Sequence, residues 1–145
     1  MTKVKKSILF LSLALLALAF FGCERQAQKV TIDSRAFNLT VADTASERAK
    51  GLSDIKALNI SEGMLFVFDQ KENLDFWMKD TLIPLQIIFI DGCKVVDVQE
   101  MSVESDLANP ASHYISQLPA DKAIELNSKS IKNNIIGEEI KELCQ

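Results

Sequence analysis

Three apolar runs lie close together in the middle of the chain, at residues 64–68, 76–78 and 85–90, separated by a polar, turn-like segment and by Pro84. Short runs of this kind, rich in Phe, Ile and Val, suit consecutive buried strands. Upstream, residues 29–33 and 37–42 gather β-formers around Ser34-Arg35 in the manner of a hairpin. Thr44 and Glu47 then stand at capping-box spacing and open a helix of about two turns, which Gly51 closes and which turns Ala45, Ala49 and Leu52 inward. Residues 53–61 form a connection. Asp91-Gly92, between 85–90 and Lys94–Met101, predicts a second hairpin because Asp and Gly tolerate positive φ, and Val95, Val96 and Val98 carry its return strand. Residues 102–120 lack periodicity and contain Asn109-Pro110 and Pro119; loops of that length are more often functional or mobile than average. A strand at 122–127, a helical turn at 130–134 and a last strand at 138–143 follow. Seven or eight strands against one short helix predict a mostly-β fold, a single-domain sandwich or barrel.

The first 22 residues change the setting of that fold. Lys3, Lys5 and Lys6 precede an apolar run from Ile8 to Phe21 interrupted only by Ser12, the layout of a signal peptide too short to span a bilayer. Gly22-Cys23 resembles the bacterial lipobox, in which the cysteine takes a thioether-linked diacylglycerol. Phe20 and Phe21 depart from that pattern, leaving an uncleaved anchor or plain cleavage open. On the lipobox reading, residues 1–22 are removed, 23–29 form a lipidated polar tether, and 30–145 form the β domain. The expected address is the bacterial cell envelope, membrane-anchored, with the domain in the periplasm or at the surface. Glu24 follows the cysteine in place of the aspartate used for inner-membrane retention, which favours the outer membrane. The leader holds three of the sixteen basic residues and none of the twenty acids, so the mature chain sets thirteen against twenty, a formal charge of −7. No basic cluster is left to grip phosphates, which argues against a nucleic-acid partner.

Several segments carry a resemblance. Arg48-Ala49-Lys50-Gly51-Leu52, Glu62-Gly63-Met64-Leu65-Phe66, Phe76-Trp77-Met78-Lys79-Asp80-Thr81, Ile83-Pro84-Leu85 and Ile124-Glu125-Leu126 stand in this order and at these spacings in a chain that resembles domain of unknown function family 192. The resemblance covers Val30 to the C-terminus and implies a compact, jelly-roll-like β domain, often behind a signal peptide or lipobox, with no particular activity attached. The chain departs from the pattern at Gln86, where an aspartate is usual, in residues 53–57, which lack a methionine and an arginine, and at Ser128-Lys129, which lack a glycine.

Candidate chemistry is sparse. His113 is the single histidine and no Cys or His pair has ligand spacing, so neither a metal nor a cofactor is expected and His113 reads as an ordinary loop residue. Asp69, Glu72, Asp75 and Asp80 lack the EF-hand pattern and read as a solvated, charged turn. No flanked nucleophile elbow marks Ser112 or Ser116, so no catalytic residue is assigned. Trp77 is weighed between core packing, which general burial statistics favour, and a ligand face shared with Lys79, Asp80, Thr81 and Glu125, the equipment of a small-molecule or glycan site. The competing class is an envelope-glycan hydrolase using Glu62 or Glu125 as carboxyl catalysts. An oxidising compartment would let Cys93 pair with Cys144, with two free thiols as the alternative.

Overall fold

A computed structural model describes residues 26–132 and 134–144. The leader and Cys23 lie outside the described residues. Strand β1 (Ala27–Ile32) turns into β2 (Arg35–Ala42) through Asp33 and Ser34, both at positive φ, so the expected hairpin forms on a two-residue turn. Helix α1 (Ala45–Lys50) opens with the complete capping box: the Thr44 side chain accepts from the Glu47 amide, and the Glu47 carboxylate accepts from the Thr44 amide. The helix buries none of its own residues, however. Ala45 and Ala49 are exposed, and only Leu52, just beyond it, points inward as expected. A six-residue helix has too little length to present an apolar stripe, and its connecting loop does the packing instead.

Strands β3 (Glu62–Glu72), β5 (Leu85–Asp91), β6 (Lys94–Met101) and β8 (Ala120–Asn127) complete a six-stranded sheet in the order β1-β2-β3-β8-β5-β6. Every pairing is antiparallel except β2 with β3, which the crossover through α1 permits. The β5–β6 turn falls at Gly92-Cys93, with Gly92 at φ 63°, one residue later than Asp91-Gly92. A register shift between Phe89 and Ile90 sets Asp97 and Val95 against consecutive residues of β5. The outcome is the mostly-β class predicted, as an open, sandwich-like arrangement rather than a closed barrel.

Both faces of the sheet are covered, and this explains why Leu85 to Ile90 are all buried, apolar except for Gln86. One face carries Phe37, Leu39, Leu65, Ile88 and Ile124 and is closed by Ile131, Ile135, Ile140 and Leu143 of the C-terminal segment. The other carries Met64, Phe66, Ile87, Phe89 and Ala123 and is closed by Leu52, Leu74, Met78 and the half-buried Phe76. The C-terminal segment is not the strand expected at 138–143. It makes one isolated bridge, Lys94 with Glu139, and then a 3-10 turn at Lys141–Leu143, because its isoleucines serve as plugs for the sheet face rather than as an alternating edge. Among the described residues of 130–134 no helical turn forms either; a turn ends at Ser130, whose amide donates to the Asn127 carbonyl. The segment at 76–78 is likewise not a central strand. Only β4 (Asp75–Phe76) is extended, in a small separate sheet with β7 (Tyr114–Ile115). The buried Ser116 hydroxyl ties the two together by accepting from the Leu74 amide at 3.0 Å, while the Ser116 amide donates to the Leu74 carbonyl at 2.9 Å.

Candidate functional site

Met78 is fully buried and anchors a tight turn in which the Thr81 amide donates to the Met78 carbonyl and Asp80 takes a φ of 53°. Trp77 and Lys79, on either side of that anchor, are thereby thrown outward. The indole is 52% exposed, so the core reading of Trp77 is corrected, and the Lys79 ammonium lies 5.9 Å from the indole centroid. Ser53 and Thr81 both donate through their hydroxyls to the Lys79 carbonyl, which fixes the turn against the loop that follows α1.

Between that loop, the turn and the sheet lies a depression of about 230 Å³. Its aromatic wall is Phe66, Phe68 and Phe76, with Phe76 set edge-on to Phe66 at 5.0 Å and to Phe68 at 6.2 Å. Arg48 stands over the Phe68 ring at 4.9 Å and donates to the Val67 carbonyl at 2.8 Å and to the Asp43 carbonyl. Asp75, on the lining, is held by His113, whose Nδ1 lies 2.9 Å from its carboxylate. The His113 ring is 6.3 Å from that of Trp77. His113 is therefore not an idle loop residue but the partner of a pocket carboxylate.

Glu125 enters the same depression from β8. Its cross-strand neighbours, Met64 on β3 and Ile87 on β5, are both apolar, and the residue is only 5% exposed. Among the described residues its carboxyl makes no hydrogen bond or ion pair. Burial pushes its pKa up to about 8, so the group is largely a neutral acid at pH 7.

Of the residues singled out in the sequence, Trp77, Lys79, Thr81 and Glu125 meet at this depression. Asp80 does not line it: its amide donates to the Leu107 carbonyl and its carbonyl accepts from the Asp54 amide. Glu62 is exposed and lines a separate depression with Asn38 and Leu58, so it is not brought together with Glu125. Gln86 pairs across the sheet with Leu126, not Glu125, and faces the opposite layer. There its amide group accepts from the Ile131 amide at 2.9 Å and donates to the Ile131 carbonyl and to Glu100, fastening the C-terminal segment. The missing aspartate at that position thus says nothing about chemistry in the Glu125 pocket. Cys93 and Cys144 are joined by a disulfide on that far layer. Among the described residues the one grouping with metal-ligand geometry is those two sulfurs with Glu139, and the disulfide occupies the sulfurs. Asp75 and His113, which sequence reasoning passed over as a pair, lie 38 positions apart and carry no motif.

Fold and site together define a small, mostly-β domain with a one-sided, aromatic-walled depression and a buried acid at its base. The chain belongs to domain of unknown function family 192, described as uncharacterised ACR, which it matches over residues 28–141. Comparison with curated proteins finds no match. Among solved structures, the chain resembles a protein of Sinorhizobium meliloti described as a candidate transcription regulator. The two share 23% identity and a TM-score of 0.63, over 74% of this chain and 85% of that one. It also resembles a protein of unknown function from Novosphingobium aromaticivorans, with 27% identity and a TM-score of 0.58, over 72% and 74% of the two chains. At such identity the first likeness speaks for the fold alone.

Proposed function

We propose that this domain binds a small polar molecule or glycan in the depression between Trp77 and Glu125, without catalysis, and that Cys23 holds it to an envelope membrane by a lipid anchor. The observation that carries the binding reading is Glu125, a buried carboxyl without a partner that opens onto a pocket edged by an exposed indole. Burial desolvates the carboxyl and leaves only the pocket side open to satisfy it, so a ligand that hydrogen-bonds it there recovers part of that cost. The indole supplies the flat apolar surface against which a sugar or ring can lie. The envelope address draws support from the leader and from the Cys93–Cys144 disulfide, which suits an oxidising compartment.

One observation favours a second reading, a hydrolase. Glu125 held protonated near neutral pH is the state a general acid needs, and Asp75 supplies a second carboxylate on the same pocket. A thermal-shift screen of saccharides separates the two, since any ligand of the native state raises Tm. The expected result is a shift that Trp77→Ala abolishes while the variant still folds, because an exposed indole contributes little to the core. Saccharide turnover that disappears in Glu125→Gln would replace binding with hydrolysis.

A further inference from the structure

The charges around the depression are unbalanced in a chain that is acidic overall, with a formal net charge of −4. Arg48, Lys50 and Lys79 line it, against Asp75 and Glu125. Arg48 spends its guanidinium on backbone carbonyls, which leaves its charge uncancelled. Lys50 has an acid partner, Asp54 at 2.6 Å, but the Lys79 ammonium has none among the described residues and only overlies the indole. Asp75 in turn is engaged by His113. We propose, resting on the binding reading above, that the ligand is a small organic anion whose carboxylate sits between this cationic rim and the Glu125 carboxyl, with its apolar body against Trp77.

An acid that burial desolvates and that no ion pair holds stays protonated, and in that form it donates a hydrogen bond. An anionic acceptor is the strongest partner such a donor can find. The neighbours of Glu125 across the strands, Met64 and Ile87, do not titrate, and the charged groups facing it are Arg48, Lys50, Lys79 and Asp75, the last with His113 at its outer side. Bound anion and ionised Glu125 would repel each other, so ligand and proton bind together. Affinity is then level below about pH 8 and falls about tenfold per pH unit above it. An organic cation would show the reverse, binding more tightly as Glu125 ionises.

Trp77 is the single tryptophan of the chain, so its emission reports on this pocket. Full-length protein in mild detergent is titrated with D-glucuronate, with its uncharged methyl ester and with choline, between pH 6 and 9.5. Glucuronate is expected to bind about tenfold more tightly than the ester at pH 7, the worth of one charge-assisted contact. Its affinity is expected to drop above about pH 8 in the wild type and in His113→Asn. Glu125→Gln, which keeps a donor but has no proton to lose, is expected to show no such drop and to exceed the wild type at pH 9. Equal binding of ester and acid, or choline binding that strengthens with pH, overturns the anion inference and leaves the pocket reading standing. No change in emission with any of the three removes the pocket reading and this inference with it.

Discussion

Replacing Glu125 with glutamine removes one titratable proton from the interior while keeping the length and shape of the side chain. In the unfolded chain the glutamate ionises near its ordinary value of about 4.5, whereas in the folded protein burial holds it protonated up to about 8. Between these values the folded state binds more protons than the unfolded one, so stability falls as pH rises. Its full contribution is present below about pH 4.5 and has been lost once pH passes about 8. At about 1.4 kcal/mol per pH unit the loss amounts to about 3 kcal/mol by pH 7 and roughly 5 kcal/mol at the upper limit. That is a large share of the 5–15 kcal/mol that holds a typical domain together. Glutamine titrates nowhere in this range and buries a comparable neutral polar group. Urea unfolding of both proteins at intervals from pH 4 to 9 isolates the effect, because every other titrating group is common to the two. The two stability curves are expected to lie close together near pH 4 and then separate by about 1.4 kcal/mol per unit, with the variant the more stable, until about pH 8, beyond which they run parallel. Curves parallel from pH 4 upward would show that Glu125 ionises normally in the folded protein, and the picture of a buried neutral acid would be wrong.

Converting both Cys93 and Cys144 to serine opens a link spanning 51 positions and should destabilise by up to about 4 kcal/mol in the chain-entropy description, read as a lowered urea midpoint that the wild type reproduces under reductant. A change below 1 kcal/mol would show that Gln86 and the isoleucine plugs hold the C-terminal segment unaided. Gly63→Ala places a methyl group 2.4 Å from the Glu125 carbonyl and 2.6 Å from Leu126, so β3 and β8 must part, with an expected loss of about 3 kcal/mol by the same assay. A midpoint equal to that of the wild type would mean that this pairing is looser than the structure has it. On the proposal that one diacyl anchor holds the protein to the membrane, Cys23→Ser should shift it from the detergent phase to the aqueous phase and alter its processing. Unchanged partitioning and processing would refute the lipobox reading.

How much of this was legible beforehand follows from the range of the forces involved. The two hairpins, the Thr44–Glu47 capping box and the strands at 64–68, 85–90 and 122–127 depend on turn chemistry and periodicity over a few residues, and sequence carries that information directly. Where a segment is shaped by what it covers, the local pattern misleads. Residues 138–143 look like a strand, yet Ile135, Ile140 and Leu143 are spaced to plug a sheet face that already exists. Trp77 illustrates the same limit. Alternation sets it opposite Phe76 and Met78, but which side is closed depends on Leu74, Ser116 and the loop after α1, all of them tertiary neighbours.

Glu125 could be named from its family segment, but not recognised as a buried acid. One glutamate between isoleucine and leucine reads the same whether it faces water or the core. Its state was decided by the register that sets the apolar Met64 and Ile87 beside it, and by burial with no ion pair among the described residues. Asp75 and His113 became partners only when β4 paired with β7. Sequence by itself determined the two hairpins, the capped helix, the main strands and the mostly-β class, because those follow from turn chemistry and periodicity among near neighbours. The pocket, its charge and the protonation of its acid were left to the tertiary structure, because desolvation and charge pairing act between groups that only the folded chain brings within a few ångströms of each other.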